Sequence, residues 1–287
     1  MLRVAIPGGV WRSDALRSDG PVRELALRPI GGEDEVFLLD TADHPVPSAR
    51  ATALLARCLD EVDAERTARS LTVGDREALL LQLRRLTLGD AFDCVLRCPV
   101  AACGERMELS LRVSDLLLPP YANVQREYEM VCDASDGKYA MTYRLPTADD
   151  LERAAIHARN DAELGALSLL TACLVTATRD GAVVHARELS ASARDEISAA
   201  MAAHDPQAEI ELDLVCPTCS SEFSIVFDTA MFLLQELDQR AQQLTHDVHT
   251  LALHYHWSER EILHLPPRRR ARYLELVAES VARSRVR

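Results

Sequence analysis

Two short cysteine-bearing segments constrain this chain more than anything else in it. Val95-Leu-Arg-Cys98-Pro-Val-Ala-Ala-Cys103-Gly and Leu212-Asp-Leu-Val-Cys216-Pro-Thr-Cys219-Ser share one plan: an alternating apolar run, Cys-Pro, a short loop, a second cysteine and another alternating run. That is the outline of a knuckle, a tight turn between two strands that aims two thiolates and several backbone amides at one point. A structural Zn²⁺ site takes four ligands, and each knuckle supplies two. The economical solution brings the knuckles together across the 112 intervening residues, placing Cys98, Cys103, Cys216 and Cys219 around one tetrahedral ion. Four thiolates leave no open position for water or substrate, so such a site is structural. The alternatives are four reduced cysteines on tight turns, or two half-sites completed by other groups.

The remaining four of the eight cysteines read differently. No stretch approaches ~18 apolar residues and the start lacks an apolar leader, so the chain is expected in the cytoplasm of the producing cell, where thiols stay reduced. Cys58 and Cys173 lie among leucines and Cys132 in a hairpin; all three are expected as small buried hydrophobes. Cys94, four residues before Cys98, is expected to pack in a strand, with replacement of one ligand as the alternative.

Apolar periodicity divides the chain into five segments and an α+β plan, with helical N- and C-terminal parts around a split, zinc-ribbon-like β unit. Residues 1–91 read as mostly helical: an extended piece from Arg23, a helix after Gly31-Gly32, a helix over 49–66 carrying Leu54, Leu55, Cys58, Leu59 and Val62, and another N-capped by Asp75 and ended by Gly89. Residues 92–118 hold the first knuckle and its strands, including Val113. Residues 119–208 are an inserted hairpin turned at Asp136-Gly137, followed by helices over 148–158 (capped by Thr147), 161–177 and 190–203. Residues 209–228 hold the second knuckle. Residues 229–287 are helical, with a break at Pro266-Pro267 that makes the end of the chain a jointed arm.

Charge and motif content exclude several functions. Net charge is −13, with +4 concentrated in residues 259–287 and −17 in the rest, which argues against binding nucleic acid over the whole surface. There is no Gly-x-Ser-x-Gly, phosphate-binding loop, dinucleotide fingerprint or His-Glu-x-x-His. His246, His249, His254, His256 and His264 read as ordinary helix-surface residues. Gly8-Gly9 and Gly31-Gly32 read as bare turns, and Glu33-Asp34-Glu35 and Asp149-Asp150 as solvated faces and caps. Arg268, Arg269 and Arg270, interleaved with Tyr273, Leu274 and Leu276, read as an amphipathic helix that docks on protein, with the arginines as an electrostatic rim.

Several phrases together resemble a known family. Leu71-Thr-Val-Gly-Asp-Arg-Glu-Ala-Leu-Leu-Leu, Gly89-Asp before the first knuckle, Asp205-Pro-Gln-Ala-Glu before the second, Phe232-Leu-Leu-Gln-Glu-Leu, and Val248 to Pro266 are similar to T4-type baseplate hub assembly chaperones and to baseplate proteins of phage-tail-like contractile injection systems. The family pattern is Cys-Pro-x-Cys-Gly; here the first knuckle is longer and Ser220 stands in place of the second glycine. The resemblance implies a non-enzymatic role in building a tail or injection particle, with baseplate or hub proteins as partners, no small-molecule substrate and no membrane. The chain would remain in the producing cell or enter the finished particle. A zinc-ribbon nucleic-acid-binding or regulatory protein is the second reading, and an enzyme the third.

Overall fold

The computed structural model describes residues 1–11 and 20–285. The chain opens with a strand pair, β1 (Leu2–Val10) and β2 (Val22–Leu27), antiparallel with a register shift between Ala5 and Val10. Four helices follow: α1 (Gly32–Asp40), α2 (Pro47–Cys58), α3 (Ala64–Ser70) and α4 (Val73–Leu88). A hairpin, β3 (Ala91–Arg97) and β4 (Arg106–Arg112), leads into the one-turn helix α5 (Val113–Leu116). The next lobe is an antiparallel sheet in the order β5 (Tyr128–Ala134), β6 (Gly137–Tyr143), β7 (Leu174–Arg179), β8 (Ala182–Val183). Its helices are α6 (Ala148–Ala158), α7 (Ala162–Cys173) and α8 (Ala191–His204). A second hairpin, β9 (Glu211–Val215) and β10 (Glu222–Val226), feeds the long α9 (Thr229–Tyr255), then α10 (Glu259–Leu263) and α11 (Pro267–Arg285).

Three apolar clusters hold these elements. The largest packs β1–β2, α1, α2, α4 and α9 through Ile6, Leu25, Leu27, Leu38, Leu54, Leu55, Leu79, Leu80, Leu233 and Leu237. A second lies between the four-stranded sheet and α8, around Tyr139, Met141, Tyr143 and Ile197. The third is small but decides where the cysteines go. Leu81 of α4, Phe92 of β3, Val113 and Leu116 are its buried centre, with Leu212, Phe227 and Phe232 packed against them from the second hairpin and α9. The sheet lobe is tied to α4 by backbone bonds, Ala148 N–H donating to Leu71 O and Val73 N–H to Pro146 O.

The structure confirms α+β and corrects several local expectations. The helix expected over 49–66 stops at Cys58, because Leu59 turns extended and bridges Leu27; Val62 is fully exposed, and Asp63 caps the separate α3. Thr72, not Asp75, is the N-cap of α4, its hydroxyl accepting from Asp75 N–H; Gly89 ends that helix as expected, at φ 102°. The helix expected over 161–177 ends at Cys173, and the β-branched run that follows becomes β7 against β6. Val113 starts α5 rather than continuing a strand. The N-terminal part also holds an unforeseen strand, β1.

The acidic clusters cap helices as expected, Asp34 accepting from Gly31 N–H, and Glu33 is exposed, but the rest of each cluster is not a solvated face. Asp34 and Glu35 are buried: Asp34 receives Arg28 and Arg57, and Glu35 receives Arg240 and Arg270. Asp150 is buried under Arg144 and Arg153 while closing the expected capping box with Thr147. The glycine pairs are not bare turns either. Gly8 and Gly9 N–H groups both donate to the Asp75 carboxylate at 2.7 Å. A Cβ on Gly32 would lie 2.5 Å from Leu263 O, so only glycine lets α10 close onto α1.

Candidate metal centre

Each knuckle is the closed end of a regular hairpin. In β3–β4 the register runs from Ala91↔Arg112 to Arg97↔Arg106, and Cys98 N–H donates to Glu105 O at 2.8 Å to start the turn. Cys103 and Gly104 N–H then both donate to Val100 O, at 2.8 and 3.0 Å. In β9–β10, Cys216 N–H donates to Ser221 O at 3.0 Å and Ser220 N–H to Cys216 O at 2.9 Å. The loops differ in length but end alike: the residue after the second cysteine is left-handed in both, Gly104 at φ 58° and Ser220 at φ 57°. Glycine adopts that conformation freely, whereas serine does so at a cost.

The two knuckles meet. Cys98 Sγ lies 3.7 Å from Cys219 Sγ, and Cys103 Sγ 3.7 Å from Cys216 Sγ; all four sulfurs lie within 4.8 Å of one another. A tetrahedral ion with metal–sulfur bonds of about 2.3 Å requires sulfurs about 3.8 Å apart, so this donor set fits a metal ion. Cys98 and Cys216 are buried, Cys103 half-buried and Cys219 exposed, which puts the centre at the edge of the molecule with one ligand toward solvent. The local electrostatics is uneven. Burial pushes the Cys98 thiol up, with its sulfur neighbours adding to the effect, while the Ser221 hydroxyl and backbone N–H hold Cys219 down. Four sulfurs this close cannot all carry charge without a cation between them.

What aims the hairpins lies behind them. The Phe92 ring sits 5.9 Å from Phe227 and 4.9 Å from Phe232, and the Arg84 guanidinium covers Phe92 at 4.4 Å. Arg84 also forks onto Glu236 at 2.8 and 2.9 Å and donates to Gly89 O at 2.7 Å, locking α4, α9 and the start of β3 together. These positioning residues escaped sequence reasoning. Arg84 and Glu236 are 152 residues apart, and each reads locally as an ordinary charged residue on a helix.

The other cysteines stand apart from the centre. Cys94 is buried in β3 opposite Leu109, and Cys58 and Cys173 are buried; Cys132, expected buried, is half-exposed. Of the residues singled out on α11, Arg268 and Arg269 are exposed and Tyr273, Leu274 and Leu276 half-buried. Arg270 is the correction in that set: it is buried, donating to Glu35 at 2.6 Å and lying 3.4 Å from Asp247, so it fastens α11 to α1 and α9. Tyr273 meets Tyr255 and Trp257 edge-on, at 5.6 and 4.8 Å between ring centroids.

Fold and centre together define an α+β protein whose two distant hairpins converge on a four-cysteine cluster suited to a structural ion. Residues 19–234 match the family described as T4 bacteriophage base plate protein, and the chain belongs to that family. No curated protein and no solved structure matches it. Among the described residues no helix is long and apolar enough to cross a membrane.

Proposed function

We propose that this chain is a non-enzymatic baseplate or hub component, or the chaperone that assembles one, in a contractile phage tail or phage-tail-like injection system, with its fold pinned by a structural Zn²⁺. The observation that carries this reading is the family match over 19–234, which spans both knuckles and reaches the start of the long α9. Four soft thiolates at tetrahedral spacing favour zinc among available ions. Cys98, Cys103, Cys216 and Cys219 would hold it, making the two hairpins one split zinc ribbon. When bound, such an ion supplies a cross-link and no open coordination position. The exposed part of α11, with Arg268, Arg269, Tyr273, Leu274 and Leu276, is the contact surface for a neighbouring baseplate protein; Arg270 serves the internal clamp instead. Glu211, Asp213 and Glu222 on the outer face of the second hairpin oppose the phosphate contacts that a nucleic-acid-binding ribbon needs.

Mass spectrometry of purified tail-like particles tests the assembly role, with this chain expected in the particles or in their assembly intermediates. Its absence from both would end the reading. Metal analysis of the purified protein tests the ion, with one zinc per chain expected and a value near zero refuting it.

A further inference from the structure

The second hairpin presents an unpartnered face. Glu211, Asp213 and Val215 of β9 lie opposite Val226, Ser224 and Glu222 of β10, and all six point outward. Val215 and Val226 are 60% and 56% exposed. Among the described residues none pairs with Glu211, Asp213 or Glu222, so the face combines two bare valines with three uncompensated carboxylates.

The start of α11 is its complement. Arg268 and Arg269 are exposed and their guanidinium groups meet no described partner; Arg272 is exposed beside them, and the half-exposed Trp257 and Tyr273 lie next to the same turn. Arginine and aromatic side chains at the centre of a patch are what protein contacts favour. Among the described residues the two faces do not pair with each other within one molecule. The acidic face adjoins the N-terminus of α9 at Asp228, while Arg270 fixes the start of α11 beside Asp247. At ~1.5 Å per residue the 18 positions from Thr229 to Asp247 place these two anchor points about 27 Å apart along α9, well beyond an arginine's reach.

We infer that copies of this chain associate head to tail, the basic first turns of α11 of one molecule seating on the acidic outer face of β9–β10 of a second. Because the two surfaces differ, the contact is heterologous, and repetition closes a ring or extends a filament. The inference rests on the reading of α11 as a contact arm and is independent of the metal.

Sedimentation of the full-length, metal-loaded protein across a concentration series, at low and at high salt, reads the association directly. Self-association is expected at low salt and should weaken by about tenfold or more as salt screens the charges. Reversing the helix charges (Arg268→Glu with Arg269→Glu) should abolish it, and so should reversing the hairpin (Glu211→Arg with Asp213→Arg). These side chains are exposed and unpaired, so both variants should keep the wild-type circular dichroism and metal content. An equimolar mixture of the two reversed proteins should restore the association that neither shows alone. Wild-type protein that stays monomeric at low salt, or association indifferent to the reversals, overturns the inference. If the protein is monomeric yet the helix reversal blocks its incorporation into particles, the arm contacts a different, acidic baseplate protein. If incorporation is also unaffected, the contact-arm reading falls too.

Discussion

Replacing Cys216 by serine removes one of two fully enclosed corners of the sulfur cluster and should unpin the two hairpins. The magnitude follows from topology. Cys103 and Cys216 are 113 residues apart, and their sulfurs are 3.7 Å apart in the fold. A cross-link closing a loop of that length removes about 16 cal/mol/K from the unfolded chain, roughly 5 kcal/mol at 25 °C, by the relation used for disulfides. Metal binding in small zinc peptides releases ~10–16 kcal/mol, ample to supply that stabilisation. For a chain of 287 residues 5 kcal/mol corresponds to a fall in Tm of about 8 °C. The body should still fold, because the largest apolar cluster contains neither knuckle. Differential scanning calorimetry with parallel zinc determination checks this. Cys216→Ser and chelator-treated wild type should melt together, well below the loaded protein, whereas Cys94→Ala should keep its zinc. A Cys216→Ser variant that retains one equivalent of metal, or a wild-type melt unchanged by chelation, would refute the reasoning.

Three further outcomes are expected. Ser220→Gly relieves a left-handed serine at φ 57° and should raise stability by up to about 1 kcal/mol, whereas Gly104→Ala, with open space around the new Cβ, should lower it by about 1–2 kcal/mol; thermal melts of the loaded proteins read both signs. Arg270→Ala strips a donor from the buried Glu35 and should cost about 3 kcal/mol in urea unfolding, while Arg268→Ala should leave stability unchanged; equal small effects would mean that α11 is not clamped. The pH profile of stability in the Cys216→Ser background, where metal release does not intervene, should peak on the acidic side of neutrality. Burial, against the Gly8 and Gly9 amides, raises Asp75 to about 6, so its contribution is complete below its unfolded pKa near 4 and is lost as pH rises through 6, a change of about 2–3 kcal/mol. Burial also pushes on Asp34 and Asp150, but hydrogen bonds from Arg28 and Arg144 hold both below the ordinary range, so their contribution is lost only as pH falls below about 4. A steady fall in stability from pH 7 to pH 4 would contradict the assignment for Asp75.

The local grammar of the sequence determined much of this protein. Cys-Pro turns flanked by alternating residues specify hairpins, Thr147 and Gly89 mark helix ends, and Pro266-Pro267 starts α11, because each signal acts through the dihedrals and hydrogen bonds of a few adjacent residues. The pairing of the knuckles was legible too, since two thiolates per turn are half of a tetrahedral set. What the sequence could not decide depended on groups far apart in the chain. Cys173 to Leu174 changes from helix to strand only because β6 offers Leu174 and its neighbours an open edge. Asp34 and Glu35 look solvated until Arg57, Arg240 and Arg270 arrive from other elements, and even Arg28 and Arg144, six residues before Asp34 and Asp150, reach them only because the chain between folds back. Arg268 and Arg270 are chemically identical and two positions apart, yet one faces solvent and the other closes a buried ion pair with Glu35. Helical phase alone puts neighbouring residues on different faces, but which face meets the body is set by the tertiary packing of α11 on α9 and α1.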